Sequence, residues 1–309
     1  MKLATTTGDF SKYVECPTDI PQMLEYIAAC GFRHVDVNFS SVVYKDSPFC
    51  SADWVRWVDR IAETGAKLGL DFVQAHSSDI EYAYGERRDY DVEMVKRQMQ
   101  ACQMLGIPGT VVHGILIREG YQRDFMIKNE ELYRDLLKES EKTGVMVYTE
   151  NSCTANSRYY YMLNADHFFE LKERLDSHPL FGMCWDVGHA HIQKVDQYHE
   201  IVKLGKDLKA VHIHDNTGDK DKHLQPWAGN IEYDAIMMGL IDSKYEGYFT
   251  LESATIPGGT ELMHRRSFEK DGIIYDKLCM LPLEFKMRSE RFMYDTAKYM
   301  LETYDCFEE

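Results

Sequence analysis

Six residues of metal-binding or acid–base type stand at matching places along the chain: His76, His113, Glu150, Asp186, His212 and Glu252. Each ends a short apolar or β-rich run, as Asp186 ends Phe181-Gly182-Met183-Cys184-Trp185. An acid at the mouth of a buried strand is costly without a partner, and a metal ion is the usual one. Singly, each has a plainer explanation. A strand-end acid caps the following helix, and a lone histidine is a satisfied polar group. Six plain explanations at six successive positions make the less economical account. The donors Glu150, Asp186, His212 and Glu252 offer oxygen and nitrogen only, which suits Mn, Mg, Co or Zn, and the absence of thiolates argues against a closed structural zinc. Such an ion would polarise a carbonyl and its neighbouring hydroxyl and stabilise an enediolate. Glu150 and Glu252, on either side of a small ligand, would then remove and return a proton.

These residues need a scaffold that gathers them, and the sequence alternates between short β-rich runs and helical periods. Strands are expected at residues 2–7, 33–38, 72–76, 109–113, 145–150, 181–186, 210–213 and 248–251. Helices are expected at 19–29 with Thr18 as N-cap, then 52–68, 92–105, 130–143, 163–175, 198–204, 233–243 and a closing helix at 281–304. The strand ends Asn38, His76, His113, Glu150, Asp186, His212 and Glu252 are 38, 37, 37, 36, 26 and 40 residues apart. Regular β/α alternation without a Pro-, Gly- or Ser-rich linker predicts a parallel sheet with crossover helices. The expected fold is α/β, a single (β/α)8 TIM barrel over residues 1–309 with an extended C-terminal segment, in which 254–280 is an insertion near the barrel mouth. A doubly wound sheet is the runner-up, weakened because no glycine-rich phosphate loop follows the first strand. In a parallel barrel all strand C-termini open on one face, so residues far apart in sequence meet on one rim.

Composition narrows the function. With 51 acidic against 35 basic residues the formal net charge is −16, which repels phosphate backbones and anionic membranes, so no nucleic acid and no membrane partner is expected. The eight cysteines are scattered without a CxxC and read as reduced thiols. No apolar span reaches transmembrane length and the N-terminus lacks a leader pattern, so a soluble cytoplasmic protein is expected. The state of assembly, including a homo-oligomer, stays open.

The motifs Tyr148-Thr149-Glu150-Asn151, Asp186-Val187-Gly188-His189, His212-Ile213-His214-Asp215, Asp221-Lys222-His223-Leu224-Gln225-Pro226 with Gly229 and Ile231, and Leu251-Glu252-Ser253 carry a resemblance. In this order and spacing the chain, from residue 2 to 252, resembles the xylose isomerase-like barrel superfamily of sugar isomerases, sugar epimerases and endonuclease IV-type repair enzymes. The resemblance implies one divalent ion held by Glu150, Asp186, His212 and Glu252, the two glutamates doubling as acid and base, and His189 touching substrate or a second metal. His76, His113, Asp221 and His223 stand where the repair enzymes carry further ligands, so substrate binding and a trinuclear site are both open to them. Against the repair reading, Asn151-Ser152-Cys153-Thr154-Ala155 replaces a glycine-bearing loop, and Gly188 stands where those enzymes place a cysteine. The expectation is therefore a divalent-metal-dependent isomerase or epimerase of a small sugar or polyol derivative. The alternatives are an endonuclease IV-like phosphoesterase, a related sugar-acid lyase or dehydratase, and a barrel without activity. Trp185, Trp227, the Tyr159-Tyr160-Tyr161 run, Arg158 and Lys220 are softer pocket candidates, and His191 and His214 are expected to face away from the site.

Overall fold

The computed structural model describes residues 1–80, 85–115, 117–118, 122–153, 159–160, 162–253, 267–276 and 282–309. Eight parallel strands close into a barrel in chain order. They are β1 (Lys2–Thr6), β2 (His34–Asn38), β3 (Asp71–His76), β4 (Gly109–Val112), β5 (Met146–Glu150), β6 (Phe181–Asp186), β7 (Leu208–Ile213) and β8 (Tyr248–Leu251). The seam closes where Lys2 to Thr5 of β1 pair with Tyr248 to Leu251 of β8. Helices cover the outside: α1 (Ile20–Ala29), α2 (Trp54–Leu68), α3 (Gly85–Leu105), α4 (Gln122–Thr143), α5 (Ala165–Arg174), α6 (Val187–Gln193), α7 (Gln197–Leu204), α8 (Tyr233–Asp242) and α9 (Leu283–Thr303). The (β/α)8 expectation is met. No helix among the described residues is long and apolar enough to cross a membrane.

The period-2 alternation of a strand decides which residues face the barrel axis. A small interior cluster consists of Val111, Tyr148, Cys184 and Ala210, one from each of β4 to β7. Tyr148 fills the axis because two glycines make room: a Cβ at Gly109 would lie 2.1 Å from its Cζ, and one at Gly182 would lie 2.8 Å from its Cδ1. Two residues beyond Tyr148, Cys184 and Ala210 come Glu150, Asp186 and His212, on the same face and at the open end. The other face of each strand packs under the helices. Trp185 is fully buried there, its indole N–H donating to Gln197 Oε1 at 3.3 Å and its ring edge-on to Phe168.

The last helix seals the first strand. Lys286 and Glu290 of α9 are buried and paired at i,i+4, and the Lys286 ammonium sits 5.4 Å from the centroid of Phe10 in the 3₁₀ turn after β1. Asp9, in the same turn, is buried beside them and lines the cleft described below.

Some expectations shift. Thr18 is not the cap of α1; Asp19 holds that position and Pro21 follows in the first turn, while the Thr18 hydroxyl meets Cys16 Sγ at 3.0 Å. Helices α3 and α4 begin at Gly85 and Gln122, earlier than residues 92 and 130, and α6 was not anticipated. Within the segment at 254–280, Ser267–Lys270 and Ile273–Asp276 form an antiparallel hairpin turned by Asp271 (φ 55°) and Gly272 (φ 74°). Residues 254–266 and 277–281 lie outside the described residues, as do Arg158 and Tyr161.

Candidate active site

At the C-terminal end of the barrel a cleft of about 340 Å³ opens between two unlike walls. One wall carries His76, His113, Glu150, His189, Asp221, His223 and Glu252, and the other offers Thr6, Ser11, Asn38, Ser40 and Ser41. Neither arginine nor lysine occurs among the described residues that line it.

Glu150 is the hub. It is 1% exposed, with Oε2 2.9 Å from His113 Nε2 and Oε1 3.2 Å from His212 Nδ1 and 3.4 Å from His189 Nδ1. Burial pushes its carboxyl up, but His212 and His113 outweigh burial and hold it well below the usual carboxylate range. Glu252 approaches the same ring from β8, with Oε2 3.6 Å from His212 Nδ1 and Oε1 accepting from His76 Nδ1 at 3.3 Å. Burial opposes ionisation here too, and again the imidazoles, His212 and His76, overcome it and keep the carboxyl ionised. Two buried carboxylates therefore share one imidazole nitrogen.

The ring that joins them is itself held from behind. Gln74 of β3 lies 2.8 Å from His212 Nε2 and donates to Asp36 Oδ2 of β2 at 2.5 Å. Burial raises the Asp36 carboxyl to about 6. His113 is fixed at both nitrogens, by Glu150 and by Asp79 Oδ1 at 2.8 Å. Burial disfavours charge on that imidazole, yet Glu150 and Asp79 raise it to about 10.

Asp186 belongs to a second group. Its Oδ1 accepts from the His189 backbone N–H at 2.6 Å, capping α6, and its Oδ2 lies 3.0 Å from His214 Nε2. The Asn151 side chain locks the backbone of Asp186 by donating to its carbonyl at 2.8 Å and accepting its N–H at 2.7 Å. His189 Nε2 is 3.4 Å and His223 Nε2 3.1 Å from Asp221 Oδ2. Asp221 and His223 lie on a loop pinned by Asp215. That residue pairs with Leu224 through its backbone, and its side chain accepts from the Gly229 and Ile231 N–H groups at 3.0 and 3.2 Å.

The nine sequence-derived candidates, His76, His113, Glu150, Asp186, His189, His212, Asp221, His223 and Glu252, all reach this end of the barrel. The four expected ligands are distributed over neighbouring groups. They fall into overlapping triplets with donors within 4.8 Å of one another: His76, Glu150 and His212; Asp36, His212 and Glu252; Glu150, Asp186 and His189. The described four-donor group is His189, His214, Asp221 and His223.

His214 was expected to face away and does not. Two residues along extended backbone return to the same side, so His214 follows His212 onto the interior face. It is fully buried, its ring stacks on His223 at 3.9 Å between centroids, and its Nδ1 has no hydrogen-bond partner. Space for it comes from Gly188, where an added Cβ would lie 1.9 Å from His214 Cε1. The His-x-His spacing was the available signal for this residue. His191 does turn outward, to Asn230 Oδ1 at 2.8 Å. Trp185 is in the helix layer, and Trp227 is outside the cleft, 54% exposed against Tyr299. Nothing in the sequence patterning pointed to Asp36, Gln74 or Asp79.

A Gly188→Ala variant is therefore expected to lose about 1–3 kcal/mol of stability and to weaken cation binding, because the methyl group must displace a buried ring. Thermal unfolding with and without added cation reads both effects. An unchanged melting temperature together with unchanged cation response would contradict the packing described.

The donor chemistry suits a divalent cation. The imidazoles here are drawn towards protonation: against the opposing effect of burial, Cys184, Glu252 and Glu150 raise His212, and Asp186 with Asp221 raises His189, both well above the usual range. The cluster thus calls for positive charge, and a cation coordinated by neutral imidazoles and carboxylates meets the same demand. The orphan Nδ1 of His214 is a further unused donor or acceptor beside the second group.

A family model described as a xylose isomerase-like TIM barrel matches residues 24–269. An uncharacterized protein of Sinorhizobium fredii, y4fM, is 26% identical over 76% of this chain and 81% of its own length. Fructoselysine 3-epimerase of Escherichia coli O157:H7 is 32% identical over 30% of this chain, about a third of its own length (34%). Among solved structures, D-psicose 3-epimerase with D-tagatose from Clostridium cellulolyticum H10 superposes with a TM-score of 0.73 at 16% identity, covering 97% of this chain and 99% of that one. That likeness is one of fold.

Proposed function

The chain belongs to the xylose isomerase-like TIM-barrel family, and from that premise we propose that it is a divalent-cation-dependent sugar epimerase or isomerase. The observation that carries the reading is the pair of buried, ionised glutamates, Glu150 and Glu252, reaching one imidazole nitrogen from different strands of the cleft. The names of the relatives, fructoselysine 3-epimerase and D-psicose 3-epimerase, support a ketose as substrate class and carbon 3 as the reacting carbon.

Glu150, Asp186, His212 and Glu252 would hold the cation, and His189 with His214, Asp221 and His223 would bind substrate hydroxyls or a second ion. A divalent cation there supplies the positive charge that makes a proton beside a carbonyl removable by a carboxylate. One glutamate takes the proton from one face of the carbon and the other returns a proton on the opposite face, which inverts the centre. The accepting glutamate is ionised in advance; the returning glutamate must first take a proton from solvent, and the accepting one releases its own to solvent to complete the cycle. His113 and His76 each hold one of these carboxylates by a hydrogen bond and so fix its direction. The hydroxyl and amide groups of Thr6, Ser11, Asn38, Ser40 and Ser41 suit the remaining hydroxyls of a polyol chain. A lining rich in carboxylates and free of described lysine or arginine favours an unphosphorylated substrate.

A second reading, metal-dependent phosphoester cleavage, draws on the four-donor group beside the triplets, which offers ligands for more than one ion. Assays of both activities on the purified chain, with elemental analysis, separate the two. Interconversion of ketose epimers in the presence of Mn or Co, without cleavage of abasic duplex DNA, is the expected result. Cleavage of that DNA by a chain holding about three ions, with no turnover of any ketose tested, would overturn the proposal.

A further inference from the structure

Asp9 is an acid of the cleft with almost no partner. It lies in the 3₁₀ turn that leaves β1, lines the cleft and is 3% exposed. Its Oδ1 has no hydrogen-bond partner, and its Oδ2 receives the Thr5 hydroxyl only at 3.4 Å, beyond the usual range for such a bond. The other acids of the cleft are better served. Glu150, Asp221 and Glu252 each meet imidazole nitrogens, and Asp79 meets His113. Lys286, which lies behind Asp9, is engaged by Glu290. Burial first and Glu290 second push the Asp9 carboxyl well up, against Lys286. A buried carboxyl so poorly bonded is costly to keep, so an incoming hydrogen-bond partner is favoured there.

A neighbouring side chain supplies the complementary half. Asn38 ends β2 and also lines the cleft, and its backbone N–H donates to Thr7 Oγ1 at 2.9 Å, which ties it to the turn that bears Asp9. Its Oδ1 accepts from the Ser40 backbone N–H at 2.9 Å and from the Ser40 hydroxyl. Those two bonds set the amide's orientation and turn Nδ2 the other way. That nitrogen rests against Gly8, where an added Cβ would lie 2.9 Å from it. Gly8 directly precedes Asp9, so an amide donor and an unpaired acceptor stand side by side in the cleft wall.

A hydroxyl both donates and accepts, and it satisfies such a pair at once. A carboxylate or phosphate would meet the Asp9 oxygens, and a methyl group would leave both partners unpaired. The register of β1 with β8 sets Thr5 beside Leu251, so the turn adjoins Glu252. The glutamates and the cation engage the carbonyl and the reacting carbon, which leaves the hydroxyls further along the sugar for this wall.

We propose that Asp9 and Asn38 form a specificity subsite for one hydroxyl of the sugar chain beyond the reacting carbon, the hydroxyl donating to Asp9 and accepting from Asn38 Nδ2. The subsite rests on the sugar reading of the cleft and extends it to a choice among sugars.

Binding by calorimetry, and turnover, of D-psicose and its 4-, 5- and 6-deoxy analogues by the Mn-loaded full chain test it. The wild-type chain should disfavour one of the three analogues by about a hundredfold in Kd. Asp9→Leu should reduce that ratio to about threefold or less, chiefly by weakening D-psicose, and leave the ratios of the other two analogues in place. Asn38→Ala should erase the same ratio from the other side. Asp9→Asn, which keeps the shape and an acceptor oxygen, should restore most of it. Melting curves identify the variants that fold. Folded Asp9→Leu and Asn38→Ala chains with all three wild-type ratios overturn the subsite, and so does a wild-type chain indifferent to all three positions. Binding with the expected ratios but without epimerisation supports the subsite and contradicts only the reaction. A chain that binds none of the four sugars overturns both.

Discussion

Replacing Glu150 by glutamine is expected to lower epimerisation by about 10³-fold or more, with a much smaller change in KM, since loss of a positioned proton acceptor typically costs 10²–10⁴. The amide keeps the shape and one acceptor oxygen but cannot take a proton. It also removes the anion from beside His113, His189 and His212, each within 3.4 Å of the present carboxylate, so cation binding should weaken as well. For that reason turnover is to be measured at saturating cation, with bound metal determined on the same sample. A Glu150→Gln variant that retains its cation and keeps more than a tenth of the wild-type rate would remove Glu150 from the proton-transfer role.

Chelation is expected to have the second large effect. Stripping the cation should abolish turnover, and restoring Mn or Co should return it. The folded state should lose stability too. Asp36, Glu150, Asp186 and Glu252 are all buried in one small region, and in the cation-free chain their mutual repulsion is offset by imidazoles, by the Gln74 amide at Asp36 and by the His189 backbone N–H at Asp186. Saturation at a thousand times the dissociation constant contributes about 4 kcal/mol, which is a shift of roughly 10 °C for a chain of this size. The pH dependence has a definite sign. Without cation, burial disfavours charge on His113 and His223, but the carboxylates around them outweigh it and raise them to about 10 and about 9. A raised folded value gives stability that is complete below the ordinary histidine range and fades as pH climbs towards 9 and 10. The cation-free chain should therefore become less stable from about pH 7 upwards. The loaded chain should gain over the same range, because binding expels protons from the ligands. Melting curves with and without chelator across that range check both trends, and parallel curves would contradict the assignment of the cluster to a cation.

Most of the barrel is legible in the sequence because two signals agree in it. β-rich runs of period 2 alternate with helical periods, and an ionisable residue ends nearly every strand. The same alternation explains the site: Glu150 follows Tyr148, Asp186 follows Cys184 and His212 follows Ala210, always two residues on and always inward. His214 obeys that rule as well, but it stands one residue past the end of β7, and the space it needs is visible only where Gly188 crosses it. The start of α3 escapes notice because its first turn, Glu86-Arg87-Arg88-Asp89, is charged and carries no apolar period, whereas Phe125 and Met126 already open the apolar period of α4 that continues at Leu132 and Leu136. Helix α6 has seven residues and two histidines, too short for a periodic signal. Asp271-Gly272 is a two-residue hairpin turn with positive φ at both positions, a recognisable signal within a segment whose length alone marks it as an insertion. Gln74 and Asp36 support His212 across three strands, a relation that spacing along one chain cannot express.

Proton transfer at carbon is the central claim, and solvent exchange tests it most directly. The chain, loaded with Mn or Co, is incubated with ketoses in deuterium oxide, and the recovered sugars are analysed by nuclear magnetic resonance and mass spectrometry. The account predicts one solvent deuterium at the carbon that inverts, in product and progressively in recovered substrate, and no labelled inverted product with the Glu150→Gln variant, in which exchange is confined to the epimer whose hydrogen faces Glu252. Epimerised product free of solvent deuterium at that carbon would contradict it.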